Sequence, residues 1–133
     1  MVIDSSALLA ILQDEPERRR FNEAIEAAAE RLLSVATFVE VSIVIDARYG
    51  PPGLHHVDLF LDRADIELVD VDAEQARIAR DAYSRFGKGR HPAAAHAGLN
   101  FGDCFSYALA NTRGLPLLFK GEDFARTDLV AAI

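Results

Sequence analysis

Val2-Ile3-Asp4-Ser5-Ser6-Ala7-Leu8-Leu9-Ala10-Ile11-Leu12 opens the chain and decides its reading. Two apolar residues form a short buried strand, an acid ends it, and Ser5 or Ser6 caps a helix running to Leu12. The same grammar recurs downstream. Leu32-Leu33-Ser34-Val35-Ala36 reads as a second strand leading toward Glu40, and Leu117-Leu118-Phe119 as a late strand followed by Lys120-Gly121-Glu122-Asp123. Ile66-Glu67-Leu68-Val69-Asp70-Val71 alternates as a strand does, with Asp72 capping a helix to about Phe86. Strands alternating with helices imply an α/β fold, a parallel sheet covered on both faces.

The intervening segments fill in the helices. Asp14 caps a helix over roughly 15–31, with Pro16 in its first turn and Phe21, Ala24, Ile25 and Ala28 at helical spacing. Residues 38–47 are apolar on nearly all sides and read as a buried helix. Gly50-Pro51-Pro52-Gly53 is the clearest break, before a helix near 54–64. Residues 87–102 read as a long loop, of the kind that is usually functional in a small domain. A helix from Gly102 to Arg113 and a short strand at 129–133 complete the pattern.

Length and composition bound the function. The 133 residues suit one domain, 1–133, and are 50% hydrophobic and 26% charged, a globular balance. A net charge of −7 argues against a protein that coats nucleic acid through a bulk positive field. The single cysteine, Cys104, forms no internal disulfide and suits a reducing cytosol. No basic leader and no membrane-length apolar run is present, so the expected location is cytoplasmic, without membrane contact.

Four acids carry the chemistry: Asp4, Glu40, Asp103 and Asp123. Each has a local explanation. Asp4 fits a helix N-cap, and Glu40 follows Thr37 at capping-box spacing. Asp103 lies in a helix first turn, and Asp123 fits a turn. Together they fall at the carboxyl edge of a parallel sheet, where open α/β folds bind ligands. Acids gathered there repel one another unless a cation lies between them. Oxygen-only donors select Mg²⁺ or Mn²⁺ over zinc, and His55, His56 and His91 lack zinc-site spacing. Bases cluster nearby: Arg85, Lys88 and Arg90 lie in an acid-free run from 82 to 102, and Lys120 adjoins the fourth acid. They read either as phosphate contacts or as a solvated surface.

Val2-Ile3-Asp4-Ser5-Ser6-Ala7-Leu8, Glu40 after Ser34-Val35-Ala36-Thr37, Asn100-Phe101-Gly102-Asp103-Cys104-Phe105-Ser106-Tyr107-Ala108-Leu109-Ala110 and Leu117-Leu118-Phe119-Lys120-Gly121-Glu122-Asp123-Phe124 resemble, over the full length, PIN-domain ribonucleases of the VapC toxin type. The resemblance implies an α/β/α sandwich and a Mg²⁺-dependent endoribonuclease, with Mn²⁺ substituting. It implies an acidic quartet of Asp4, Glu40, Asp103 and an acid near 123, with Asp4 and Asp103 as direct metal ligands. Where many family members carry the fourth acid, this chain has Gly121, so the role passes to Asp123 or Glu122. Ser6 and Ser106 are secondary candidates, for bonding a carboxylate or for ordinary capping. The resemblance also implies a cognate VapB-like antitoxin, an RNA substrate, a homodimer and a toxin–antitoxin hetero-oligomer. Phe21, Ile25, Phe38, Val41, Ile45, Leu54, Val57 and Phe60 are candidates for those surfaces, with core packing as the default. Rival readings are a receiver-like Mg²⁺-binding signalling module, a phosphatase of the DxD type and a non-catalytic PIN scaffold.

Overall fold

Alternating side chains on short strands build two hydrophobic layers at once, and that arrangement organises the molecule. The computed structural model describes residues 1–90 and 98–133. In chain order the elements are β1 (Val2–Ile3), α1 (Ser5–Leu12), α2 (Arg18–Ala27), β2 (Leu32–Ser34), α3 (Val35–Arg63), β3 (Glu67–Val69), α4 (Ala73–Phe86), α5 (Phe101–Arg113) and β4 (Leu117–Leu118). The strands form one parallel sheet in the order β3-β2-β1-β4, with Val2 opposite both Leu32 and Leu117.

On one face Ile3, Leu33 and Leu118 pack with α1, α2 and α3 through Leu8, Ile11, Phe21, Ile25, Val41 and Ile45. On the other, Val2, Leu32 and Leu117 pack with α4 and α5 through Ala79, Ala82, Tyr107 and Leu109. The result is the expected α/β/α sandwich. The strand order, which the pattern did not reveal, has a consequence for function. The chain winds β1 to β2 to β3 on one side of β1, then crosses to β4 on the other. That reversal opens a crevice between the carboxyl ends of β1 and β4.

Several local expectations need correction. Of the two readings for the N-cap of α1, Asp4 holds and Ser5 or Ser6 does not: the Asp4 side chain accepts from the Ser6 N–H. Asp14 caps nothing: it adopts φ 56°, and α2 begins at Arg18 behind Glu17. Val35 and Ala36 belong to α3, because Ser34 supplies the N-cap and ends β2 there. Gly50-Pro51-Pro52-Gly53 kinks α3 without ending it. Gly50 has φ 65°, ψ −158°, and the helix resumes at the prolines, whose missing N–H groups are harmless in a first turn.

Residues 38–47 are helical but not buried all round. Val41 and Ile45 face the core, while Val39, Ile43 and Val44 face solvent. Phe21, Ile25, Val41, Ile45 and Val57 are core residues and present no surface to a partner. The C-terminal segment makes a single parallel bridge, Leu117 to Ala131, instead of a strand. Of the long loop, residues 91–97, including His91, Ala93, Ala94, Ala95 and His96, lie outside the described residues. Among the described residues no helix is long and apolar enough to cross a membrane.

Candidate metal centre at the carboxyl edge

Asp4 ends β1 and begins α1, so its side chain is fixed at the crevice by two elements at once. It is 1% exposed and is held from three directions. Ser106 Oγ of α5 donates to its Oδ1 at 2.7 Å, while Ser6 Oγ and the Ser6 N–H donate to Oδ2 at 2.6 and 3.0 Å. The Lys120 N–H after β4 donates in turn to Ser6 Oγ at 3.0 Å, tying both sides of the crevice together. Thr37 Oγ1 lies 3.3 Å from Ser106 Oγ and extends the network to α3. Both candidate serines therefore bond within the acidic centre.

Asp103 is the third residue of α5 and 6% exposed. It forms a reciprocal capping box with Asn100: the Asp103 N–H donates to Asn100 Oδ1, and the Asn100 N–H donates to Asp103 Oδ2, each at 2.9 Å. Burial pushes its carboxyl up to about 7. The Asn100 N–H opposes that rise, while the negative charges of Asp4, Asp123 and Glu40 add to it. All three of those acids thus act on Asp103 across the crevice.

Glu40 reaches the same place from the second turn of α3. Since Ser34 is the N-cap, Glu40 is not the partner in a Thr37 capping box. Its carboxylate instead lies directly over Gly102, where a Cβ would collide with Oε2 and come within 2.8 Å of Cδ. Gly102 is a residue whose role the sequence reading missed; its signal was a glycine inside a helix beside a candidate ligand. Thr37 and Asn100 were missed as well, and only Asn100 carried a signal, the Asn-x-x-Asp spacing.

The basic candidates are placed differently. Lys120 Nζ pairs with Glu15 at 2.6 Å and Glu17 at 3.2 Å, so its charge is neutralised within the protein. Arg85 pairs with Asp81 at 3.6 Å and Asp128 at 3.4 Å, and stacks over Phe86. Lys88 and Arg90 are exposed, with the Arg90 guanidinium 5.7 Å from the Tyr83 ring centroid. Glu122 is exposed, whereas Asp123 is half-buried and acts on Asp103.

The donor set suits a hard cation. Oxygen atoms converge, and Cys104 is turned aside: its thiol donates to the Asn100 carbonyl at 3.2 Å, and burial pushes it up to about 11. His55 and His56 are exposed on α3. Among the described residues no three His, Cys, Asp or Glu side chains form a ready-made cage for one ion. Mg²⁺ does not need one, since one or two carboxylates with water and phosphate suffice.

Comparison with known proteins agrees with this architecture. The family model described as PIN domain matches residues 1–130. Ribonuclease VapC30 of Mycobacterium tuberculosis is 57% identical over 129 residues, which span 97% of this chain and 95% of that protein. Ribonuclease VapC of Mycolicibacterium smegmatis is 55% identical over 131 residues, 98% of each chain. The crystal structure of Mycobacterium tuberculosis VapC20, described as a sarcin-ricin loop cleaving toxin, shares the fold at TM-score 0.75 and 15% identity, covering 97% of this chain and 95% of that one. A toxin–antitoxin complex from Klebsiella pneumoniae does so at TM-score 0.72 and 17% identity, covering 99% and 97%. With a family match along nearly its whole length and relatives identical at over half their positions, the chain belongs to the PIN-domain family, in its VapC ribonuclease group.

Proposed function

We propose that the protein is a divalent-metal-dependent endoribonuclease, the toxin of a VapBC-type pair, neutralised by a cognate VapB-like antitoxin. One observation carries the reading: buried acids from β1 and α5 and the Glu40 carboxylate of α3 are knit into one crevice, through Ser106 and Gly102. Ribonuclease names among relatives over half identical, and the toxin–antitoxin complexes among the structural neighbours, support it.

Asp4 and Asp103 would hold Mg²⁺, with Mn²⁺ as a substitute. When bound, the ion supplies charge relief to the phosphoryl oxygens, a more acidic water and stabilisation of the leaving oxygen. The chain's own groups set the stage for that chemistry. Ser6 and Ser106 fix the Asp4 carboxylate in one orientation, and Asn100 fixes Asp103. Glu40, held over Gly102, and Asp123 would orient the attacking water and accept its proton. Asp123 is assigned the fourth acidic position over Glu122 because it is half-buried and its charge acts on Asp103, whereas Glu122 is exposed. Of the four candidate bases, Lys88 and Arg90 would be the ones to meet phosphates, since Arg85 and Lys120 pair with acids of the fold.

A homodimer remains part of the proposal, on a different surface from the core residues first considered. Val39 and Ile43 lie one turn apart on α3 at 52% and 64% exposure, a strip suited to a second copy. The test of the enzyme is direct. Pure protein incubated with structured RNA should cleave it with Mg²⁺ or Mn²⁺ and not with EDTA. Asp4→Asn and Asp103→Asn should each lower the rate by at least ~100-fold. Full cleavage by both variants would refute the assignment, and no cleavage by the wild type would leave a binding scaffold.

A further inference from the structure

A second concave surface lies beside the acidic crevice, between α4 and α5. It encloses about 520 Å³, and its lining includes Arg80, Tyr83, Lys88, Phe101, Cys104 and Phe105. Asn100, which bonds the Asp103 carboxylate, borders it too, so the two sites share a residue. Phe101 follows that cap directly and is 79% exposed, an unusual position for a phenylalanine. Its ring is held edge-on to Phe105, with centroids 5.0 Å apart and planes at 82°. Among the described residues no acid lines the groove, although the chain carries a net charge of −7.

We infer that this groove is a stacking subsite for a nucleobase of single-stranded RNA, next to the phosphodiester bond at the acidic centre. The inference rests on the ribonuclease reading and extends it to substrate recognition. Single-stranded RNA is gripped by aromatic faces that stack on bases and by cations that meet the flanking phosphates. Phe101 and Tyr83 offer the faces; Arg80 and Lys88 offer the cations. An apolar peptide segment would use the aromatic rings but gain nothing from two cations without an acid, so the charge pattern favours a polyanion. Phe101 directly follows Asn100, whose N–H holds the Asp103 carboxylate, so the groove starts at the residue that anchors the proposed metal ligand.

Anisotropy of a fluorescein-labelled single-stranded ribo-oligonucleotide, measured in EDTA so that cleavage is off, reads the subsite without the chemistry. Phe101→Ala and Tyr83→Ala should each weaken binding, with Phe101→Ala losing about tenfold. Phe101→Trp should retain affinity and Phe101→Leu should not, because leucine keeps the apolar contact without the π-face. Wild-type affinity in both alanine variants overturns the inference. So does a shifted elution volume for Phe101→Ala with RNA binding intact, which would make the groove a protein interface. Hydrolysis of bis(p-nitrophenyl) phosphate with Mn²⁺, a diester lacking a base, tests the nuclease reading separately: wild type should hydrolyse it and Asp103→Asn should not. Failure there with stacking intact sinks the enzyme and leaves the RNA groove.

Discussion

Gly102 shows how one missing carbon shapes the centre. A Cβ at that position meets the Glu40 carboxylate head-on, so Gly102→Ala should displace Glu40 and lower metal-dependent RNA cleavage about 10- to 100-fold. Alanine also favours helix over glycine, by roughly 0.5–1 kcal/mol, so the melting temperature should hold or rise slightly. A fall in both would mean that the position serves packing instead. Asp103 gives the complementary prediction in pH. Its carboxyl is raised from 3.8 to about 7 in the fold, so the native state holds a proton that the unfolded chain releases. Between those values stability of the metal-free protein should fall as pH rises, because the native state binds more protons. Asp103→Asn keeps the oxygen that accepts from Asn100 and removes the charge. Its melting temperature in EDTA should therefore exceed wild type by more at about pH 8 than at about pH 5. Equal differences at both would show that the carboxylate feels neither burial nor its acidic neighbours.

At the scale of elements, α3 rests on a glycine hinge. Gly50 has positive φ with nothing within 4 Å of a built Cβ, so Gly50→Ala tests backbone conformation alone. It should destabilise by about 1 kcal/mol in urea melts, whereas no change would mean that the kink is not needed. The same hinge explains what the sequence told and withheld. Gly-Pro-Pro-Gly reads as a terminator, yet proline is tolerated in a first turn, so one helix follows another with almost no link. Asp4 stood out because it interrupts an apolar pattern where strand gives way to helix, Asp103 because an acid sits in a helix first turn, and Glu40 only as an acid within an apolar run. The strand order was not, because strands of two or three residues carry no record of their neighbours. The partners of Arg85 and Lys120 were equally hidden, since Asp128 and Glu15 lie 43 and 105 residues away along the chain. Thr37 looked like a cap and proved to be part of the Ser106 network.

For the whole molecule, the sheet's reversal at β1 gathers chemistry from distant segments. Among the described residues three helices cover one face and two the other, and the crevice between β1 and β4 receives Asp4 where β1 ends. A protein with net charge −7 can still act on RNA if its acids are answered by a cation at one edge and its bases are local. Anomalous diffraction from crystals soaked in Mn²⁺ tests this most directly. The account predicts a peak in the crevice shared by Asp4 and Asp103, with Glu40 and Asp123 facing it. A peak elsewhere, or Asp4 and Asp103 binding no common ion at saturating Mn²⁺, would contradict it.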